Sequence, residues 1–245
     1  MPLFFDPQPI FDSSVQEKLH ELTEQALSDC KVQFSAGENH AEPECHFHFS
    51  GWNGNTGGLH GIHVTFTNMK NMRESLDNPD RLKQLIHHEL VHFFQARRHS
   101  REPFEYLPTW FHEGMAVAFS GQGLTVRKRH LDEDLAGIGG DHPWDQFFLM
   151  KESRNLDFSK PPYDILYDAW GALFIYAMSD QPSIYPQHVV STDNGSFSKV
   201  DAADCAKALA FIDAAHETTF EIAMKQNLGK DWITESGIQS FLRQD

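Results

Sequence analysis

The chain has 245 residues, 40% of them apolar and 12% aromatic, so it is long enough and apolar enough to fold around a sizeable core. Its formal net charge of −15 argues against a nucleic-acid backbone as the main partner, because phosphate binding needs clustered lysines and arginines. Three widely spaced cysteines without a C-x-x-C motif argue against a disulfide framework.

The sequence shows none of the usual signals for a membrane. Its first residues, MPLFFDPQPIFDSS, lack the basic and apolar regions of a signal peptide. The longest apolar run, at 170–178, is far shorter than the roughly 20 residues that a membrane-spanning helix needs. We therefore expect a soluble, cytoplasmic protein with no membrane partner and no nucleic-acid partner.

The first quarter of the chain predicts one helix followed by strands. Residues 14–29 repeat leucine at a spacing near that of an amphipathic helix. Three segments that alternate apolar and polar residues predict strands, at 31–35, 45–50 and 61–68. The turn-rich sequence GWNGNTGG at 51–58 favours an antiparallel pairing of the last two strands.

A strong helix start follows at Asn78, whose side chain can accept a hydrogen bond from the first turn. Pro79 suits the first helical position, and Asp80 lies near the positive end of the helix dipole. The sequence therefore predicts a helix over about 79–98.

The rest of the chain predicts further helices. One begins after Pro108, with Thr109 as a possible cap, and stops at Gly121. The others are predicted over 143–152, 167–180, 201–216, 217–228 and 231–243, with a glycine-rich loop at 121–142.

Strands first and helices afterwards indicate an α+β fold. We expect one domain over 1–245, with a small N-terminal mixed sheet and the long helix in a part at about 1–98. The part at about 99–245 is expected to be mainly helical.

The predicted helix over 79–98 carries the motif H-E-x-x-H at residues 88–92. On a helix that turns about 100° per residue, His92 falls about 40° from His88 and off the apolar stripe, so both imidazoles share one face. Histidines at this spacing can bind one Zn²⁺. Glu89 lies beside them, where it can contact a metal-bound water without being a ligand. The alternative is an ordinary helix with surface histidines, since the chain has 15 histidines.

A catalytic zinc needs a third protein ligand, with one position left open for water. A metzincin would need Gly and His where this chain has Gln95 and Arg98. The sequence WFHEGMA at 110–116 resembles the W-[FL]-x-E-G-x-A pattern of the gluzincin peptidases, the thermolysin-like superclass. Those enzymes combine H-E-x-x-H with a glutamate from a following helix. The resemblance implies a thermolysin-like zincin domain in which Glu113 joins the two motif histidines on one Zn²⁺ per chain.

Several readings of this region stay open. Glu113 can also be a surface glutamate, and His112 is a competing ligand that would point about 100° away. Gly114, Ala116 and Ala118 are small, which would let their helix approach the H-E-x-x-H helix closely. Thermolysin has an Asp four residues after its Glu ligand, where this chain has Val117, so the residue that supports the histidines is unidentified. His87 has the wrong spacing for a ligand and is expected to be a polar supporting residue.

The resemblance implies hydrolysis of a peptide or protein substrate. Zinc would polarise the scissile carbonyl, and Glu89 would act as general base. The segment that begins at Tyr167 resembles the Tyr-led helix of peptidase-MA-like domains, so Tyr167 is expected to stabilise the oxyanion, with Tyr163 as the alternative. Either tyrosine can instead be structural. The substrate would pair with an edge strand, here 61–68.

Two other functions remain as alternatives. Two histidines and one carboxylate also describe non-haem Fe(II) oxygenases, although helical i, i+4 histidines with a neighbouring glutamate favour zinc. A catalytically silent relative would bind peptides without cleaving them, and the intact Glu89 argues against it.

A second group of potential metal ligands lies in the predicted strands, at Cys45, His46, His48, His60 and His63. In a strand His46 and His48 share one face, and Cys45 belongs to the other. A half-solvated sheet face is the favoured interpretation, and a second zinc site is the alternative.

Overall fold

The computed structural model describes residues 1–7, 9–35, 42–51, 54–121 and 202–228, and the helical positions 167, 170, 171, 174, 177 and 178. Most of the predicted loop at 121–142, the predicted helices over 143–152 and 231–243, and Tyr163 lie outside these residues. The contacts divide the chain into two compact units, Met1–Glu102 and Pro103–Asp245. The organisation of the whole chain as one domain stays a prediction.

The first unit contains a four-stranded mixed sheet. Its strands are β1 (Leu3–Phe5), β2 (Glu44–Phe49), β3 (Thr56–Gly58) and β4 (Gly61–Phe66), in the order β1-β2-β4-β3. β2 runs parallel to both β1 and β4, and β3 runs antiparallel to β4. The predicted antiparallel pairing of 45–50 with 61–68 is therefore wrong. The last three residues of the glycine-rich stretch form β3 itself, and β3 holds the antiparallel position beside β4.

Among its described residues, the first unit also contains three helices: α1 (Ser13–Gln33), α2 (Met69–Asp77) and α3 (Pro79–His99). The carboxylate of Asp12 caps α1 by accepting a hydrogen bond from the backbone N–H of Val15 at 3.0 Å. The cap predicted for α3 is confirmed, since the side chain of Asn78 accepts from the N–H of Arg81 at 3.2 Å.

The predicted strand at 31–35 is wrong, because α1 continues to Gln33. Cys30 and Phe34 are buried at this end of the helix. The ring of Phe34 stacks on that of Phe94 in α3, with centroids 5.2 Å apart. Packing against α3 therefore overrides the local alternation of apolar and polar residues.

The sheet has one buried face and one partly solvated face, as the alternating pattern predicted. The buried side chains, none more than 2% exposed, are Cys45, Phe47, Ile62, Val64 and Phe66. The histidines of β2 and β4 belong to the other face, where they keep contact with solvent.

The regular elements among the described residues of the second unit are all helices. It contains a short 3-10 helix (Pro103–Glu105), then α4 (Thr109–Ser120), α5 (Ala202–Glu217) and α6 (Phe220–Leu228). Every residue of α4 is buried. The ring of Phe111 lies 4.8–5.4 Å, centroid to centroid, from those of Phe174, Phe211 and Phe220. An aromatic cluster thus forms the core of this unit.

The bounds of α4 match the prediction, but its cap does not. Pro108 occupies the N-cap position, and no side chain caps the helix, so the expected cap by Thr109 is wrong. Gly121 ends α4 in the left-handed conformation, with φ of 75°. With a small mixed sheet and mainly helical described residues elsewhere, the predicted α+β class is confirmed. Within the described ranges, no helix combines the length and apolarity needed to cross a membrane.

Candidate metal centre

The H-E-x-x-H motif lies in the buried middle of α3. His88, Glu89 and His92 are 4%, 6% and 7% exposed, so all three polar side chains are withdrawn from solvent. A helix with ordinary surface histidines would show the opposite. Burial of polar groups costs free energy unless they are satisfied by partners or ligands, which marks this part of α3 as a candidate site.

The two histidines present their Nε2 atoms to each other at 3.2 Å. The other ring nitrogen of His92, Nδ1, donates a hydrogen bond to the side-chain oxygen of Gln95 at 3.0 Å. An amide oxygen can only accept, so this bond places the proton of His92 on Nδ1 and leaves a lone pair on Nε2. Gln95 therefore holds His92 in the form that binds a metal.

A glycine of β3 sets how closely the sheet approaches the motif. A Cβ atom at Gly57 would lie 2.0 Å from the backbone oxygen of Glu89 and 3.0 Å from Cβ of His92. Only glycine allows this contact. The backbone of β3 is thus packed directly against the turn of α3 that carries the motif.

His87 does not belong to the metal-binding group. Its Nε2 lies 2.7 Å from the side-chain oxygen of Gln33, and its backbone oxygen accepts a weak hydrogen bond from the Cys30 thiol at 3.9 Å. Burial lowers the pKa of His87 to about 4, so it stays neutral. Its role is to join α1 to α3.

The third predicted ligand, Glu113, lies on α4 and is 9% exposed, so it is not a surface glutamate. His88, His92 and Glu113 are thus three buried residues of a group that can bind a metal ion. Nδ1 of the competing candidate His112 lies 3.8 Å from Oε1 of Glu113, and His112 is not part of the group.

Gly114, next to Glu113, allows a close approach different from the one expected. A Cβ atom there would lie 2.3 Å from the backbone oxygen of Trp170 and 2.9 Å from Cβ of Phe174. The nearest neighbour of Gly114 is therefore the helical segment around Trp170, and the expected approach to the H-E-x-x-H helix stays a prediction. Tyr167, the first described residue of this segment, is half-buried, with its ring edge-on to that of Trp170 at 5.1 Å.

Of the five potential ligands that the sequence suggested in the strands, three histidines come together in the structure. His46, His48 and His63 come together, with one ring nitrogen of each within 4.8 Å of the others. Cys45 lies on the buried face, where burial raises the pKa of its thiol to about 12, and His60 is outside the group.

Sequence reasoning missed two supporting residues, Gln95 and Asp6. Gln95 follows His92 by three residues, a helical spacing that could have identified it. The carboxylate of Asp6 lies 3.1 Å from Nδ1 of His48, a contact set by the pairing of β1 with β2 and visible in no local pattern.

Comparison with known proteins adds no further guide. No protein-family model matches the chain, and neither the curated proteins nor the solved structures contain a match.

Proposed function

We propose that this protein is a zinc-dependent peptidase of the gluzincin type. His88, His92 and Glu113 would hold one Zn²⁺, and Glu89 would act as general base. The observation that carries this proposal is the buried group of two histidines and a glutamate, with a second glutamate next to the first histidine.

The donor atoms suit zinc. Two nitrogens bound to a tetrahedral zinc at about 2.0–2.1 Å stand about 3.3 Å apart. The Nε2 atoms of His88 and His92 are 3.2 Å apart, so little movement is needed for both to bind one ion. Two histidines and one carboxylate also form the ligand set of catalytic zinc sites that keep a position open for water.

Glu89 supplies the acid–base chemistry of the proposed reaction. A bound zinc would polarise the scissile carbonyl and lower the pKa of a water molecule. The carboxylate of Glu89, one residue after His88, would take the proton of the attacking water and pass it to the leaving amine. Tyr167 is the proposed donor to the oxyanion.

The edge strand of the sheet is not the one that the sequence predicted. β4 pairs with β2 on one side and with β3 on the other, so the predicted role of 61–68 as an edge strand is wrong. Among the described strands, β3 lies at the edge and its Gly57 contacts the backbone of Glu89. An extended peptide paired with β3 would therefore run beside the motif.

Zinc content and its response to substitution test the proposal. The full chain, Glu113→Ala and Glu89→Gln are purified with zinc and analysed for all transition metals, with Glu217→Ala as the control. Glu217 is an exposed glutamate of α5, so its loss should leave the zinc content unchanged. We expect Glu113→Ala to lose one zinc per chain and Glu89→Gln to keep it. Full zinc affinity in Glu113→Ala, or iron in place of zinc in the wild type, would contradict the proposal.

A further inference from the structure

The outer face of the sheet carries three histidines on two neighbouring strands. His46 of β2 lies opposite His63 of β4 in the parallel register, and His48 is two residues further along β2 on the same face. The ring of His63 lies nearly parallel to both, with centroids 4.7 Å from that of His46 and 5.2 Å from that of His48. Their nitrogen donors are thus gathered by strand pairing alone.

A carboxylate behind this group fixes one of the rings. Nδ1 of His48 donates to one oxygen of Asp6 at 3.1 Å, and the backbone N–H of Phe49 donates to the other at 3.0 Å. Since a carboxylate accepts hydrogen bonds, Nδ1 of His48 carries the proton and Nε2 keeps its lone pair. A carboxylate that orients a histidine in this way is typical of metal ligands.

The spacing of the nitrogens fits one ion. Nε2 of His48 lies 2.9 Å from Nδ1 of His63, within a few tenths of an ångström of the about 3.3 Å between two ligands of a tetrahedral zinc. A second carboxylate is close, with Oε2 of Glu44 3.3 Å from Nε2 of His46. The side chains of His46 and His48 are 28% and 32% exposed, so an ion can enter from solvent.

We propose that His46, His48 and His63 form a second zinc site, which links β2 to β4 on the outer face of the sheet. Imidazole nitrogens favour zinc and related transition metals over magnesium and calcium. The site uses none of the residues of the H-E-x-x-H centre, so it does not depend on the proposed peptidase function. Its expected effect is structural, because a metal that bridges two strands stabilises the folded form that binds it.

The test is a zinc titration of the full chain and of three variants. The double variant His46→Ala/His63→Ala should lose one zinc equivalent that Glu113→Ala retains. His60→Ala is the matched control, since His60 is an exposed histidine beside β4 and outside the group. It should bind zinc as the wild type does. Equal zinc binding by the double variant and the wild type, with the fold intact by circular dichroism, would overturn the proposal.

A further variant removes the carboxylate that orients His48 and keeps all three histidine ligands. Asp6→Asn preserves an acceptor for the N–H of Phe49 but removes the charge that orients His48. We expect it to weaken zinc binding at this site about 10–100-fold. Unchanged affinity in Asp6→Asn would overturn the assignment of Asp6. Since Asp6 does not bind the metal in this scheme, a folding defect in the double variant leaves this measurement available as the test of the site.

Discussion

Nδ1 of His92 donates to the side-chain oxygen of Gln95, 3.0 Å away and three residues later in the same helix. The bond leaves Nε2 of His92 facing Nε2 of His88. Gln95 is fully buried, so water does not compete for this hydrogen bond. The metal-binding form of His92 is thus set within α3 itself.

Removal of the Gln95 oxygen should weaken the metal site without removing a ligand. We expect Gln95→Leu to lower zinc affinity about 10–100-fold, because His92 loses the acceptor that orients its ring. Gln95→Glu keeps an acceptor oxygen at the same position and should bind zinc nearly as the wild type does. Competition with a zinc chelator measures both affinities. Equal loss in the two variants would show that the packing of residue 95, and not its hydrogen bond, matters.

Gly57 should not tolerate a methyl group. In Gly57→Ala the new Cβ would meet the backbone oxygen of Glu89 at 2.0 Å, so β3 or α3 must move. We expect the free energy of unfolding to fall by about 1–3 kcal/mol, measured by chemical denaturation. Gly51→Ala is the matched control, because no atom lies within 4 Å of the added carbon. A stability change below about 0.5 kcal/mol in both variants would contradict the close packing of β3 on α3.

Tyr167 should contribute to turnover through its hydroxyl group. If it donates to the oxyanion, Tyr167→Phe lowers kcat for peptide cleavage about 10²–10³-fold, while the ring still packs against Trp170. Tyr106→Phe, in the same unit, is the control for loss of a tyrosine hydroxyl. A kcat of Tyr167→Phe equal to that of the control would assign Tyr167 a purely structural role.

Cys30 and Cys45 should be inert in the native protein. Burial raises the pKa of both thiols, that of Cys45 to about 12, so the reactive thiolate is scarce near neutral pH. We expect iodoacetamide at pH 8 to leave both unmodified in the folded chain and to modify both in guanidinium chloride, as read by mass spectrometry. Rapid labelling of Cys45 in the native state would contradict its placement on the buried face of the sheet.

Local signals predicted the parts of the fold that local chemistry determines. Asn78 and Pro79 mark the start of α3, and the spacing of His88 and His92 places both imidazoles on one face, because caps and helical periodicity act within a few residues. The pattern at 31–35 failed because the end of α1 is held by Phe94 of α3, which is distant in sequence.

The pairing of the strands could not be predicted from the sequence for the same reason. The parallel register that brings His46 opposite His63 depends on which strands become neighbours, and turn residues at 51–58 predicted a different arrangement. The supporting contact of Asp6 with His48 depends on β1, which no pattern predicted. Residue pairs fixed by topology were therefore missed, while the two histidines spaced along one helix were correctly predicted to lie together.

The proposed peptidase activity depends on a metal held by the motif histidines and Glu113, and on Glu89 as base. The most direct measurement compares peptide-library cleavage by zinc-loaded wild type and zinc-loaded Glu89→Gln. We expect cleavage by the wild type and a rate lower by about 10²–10⁴-fold in Glu89→Gln at equal zinc content. Equal rates in the two proteins, or no cleavage by a fully zinc-loaded wild type, would contradict it.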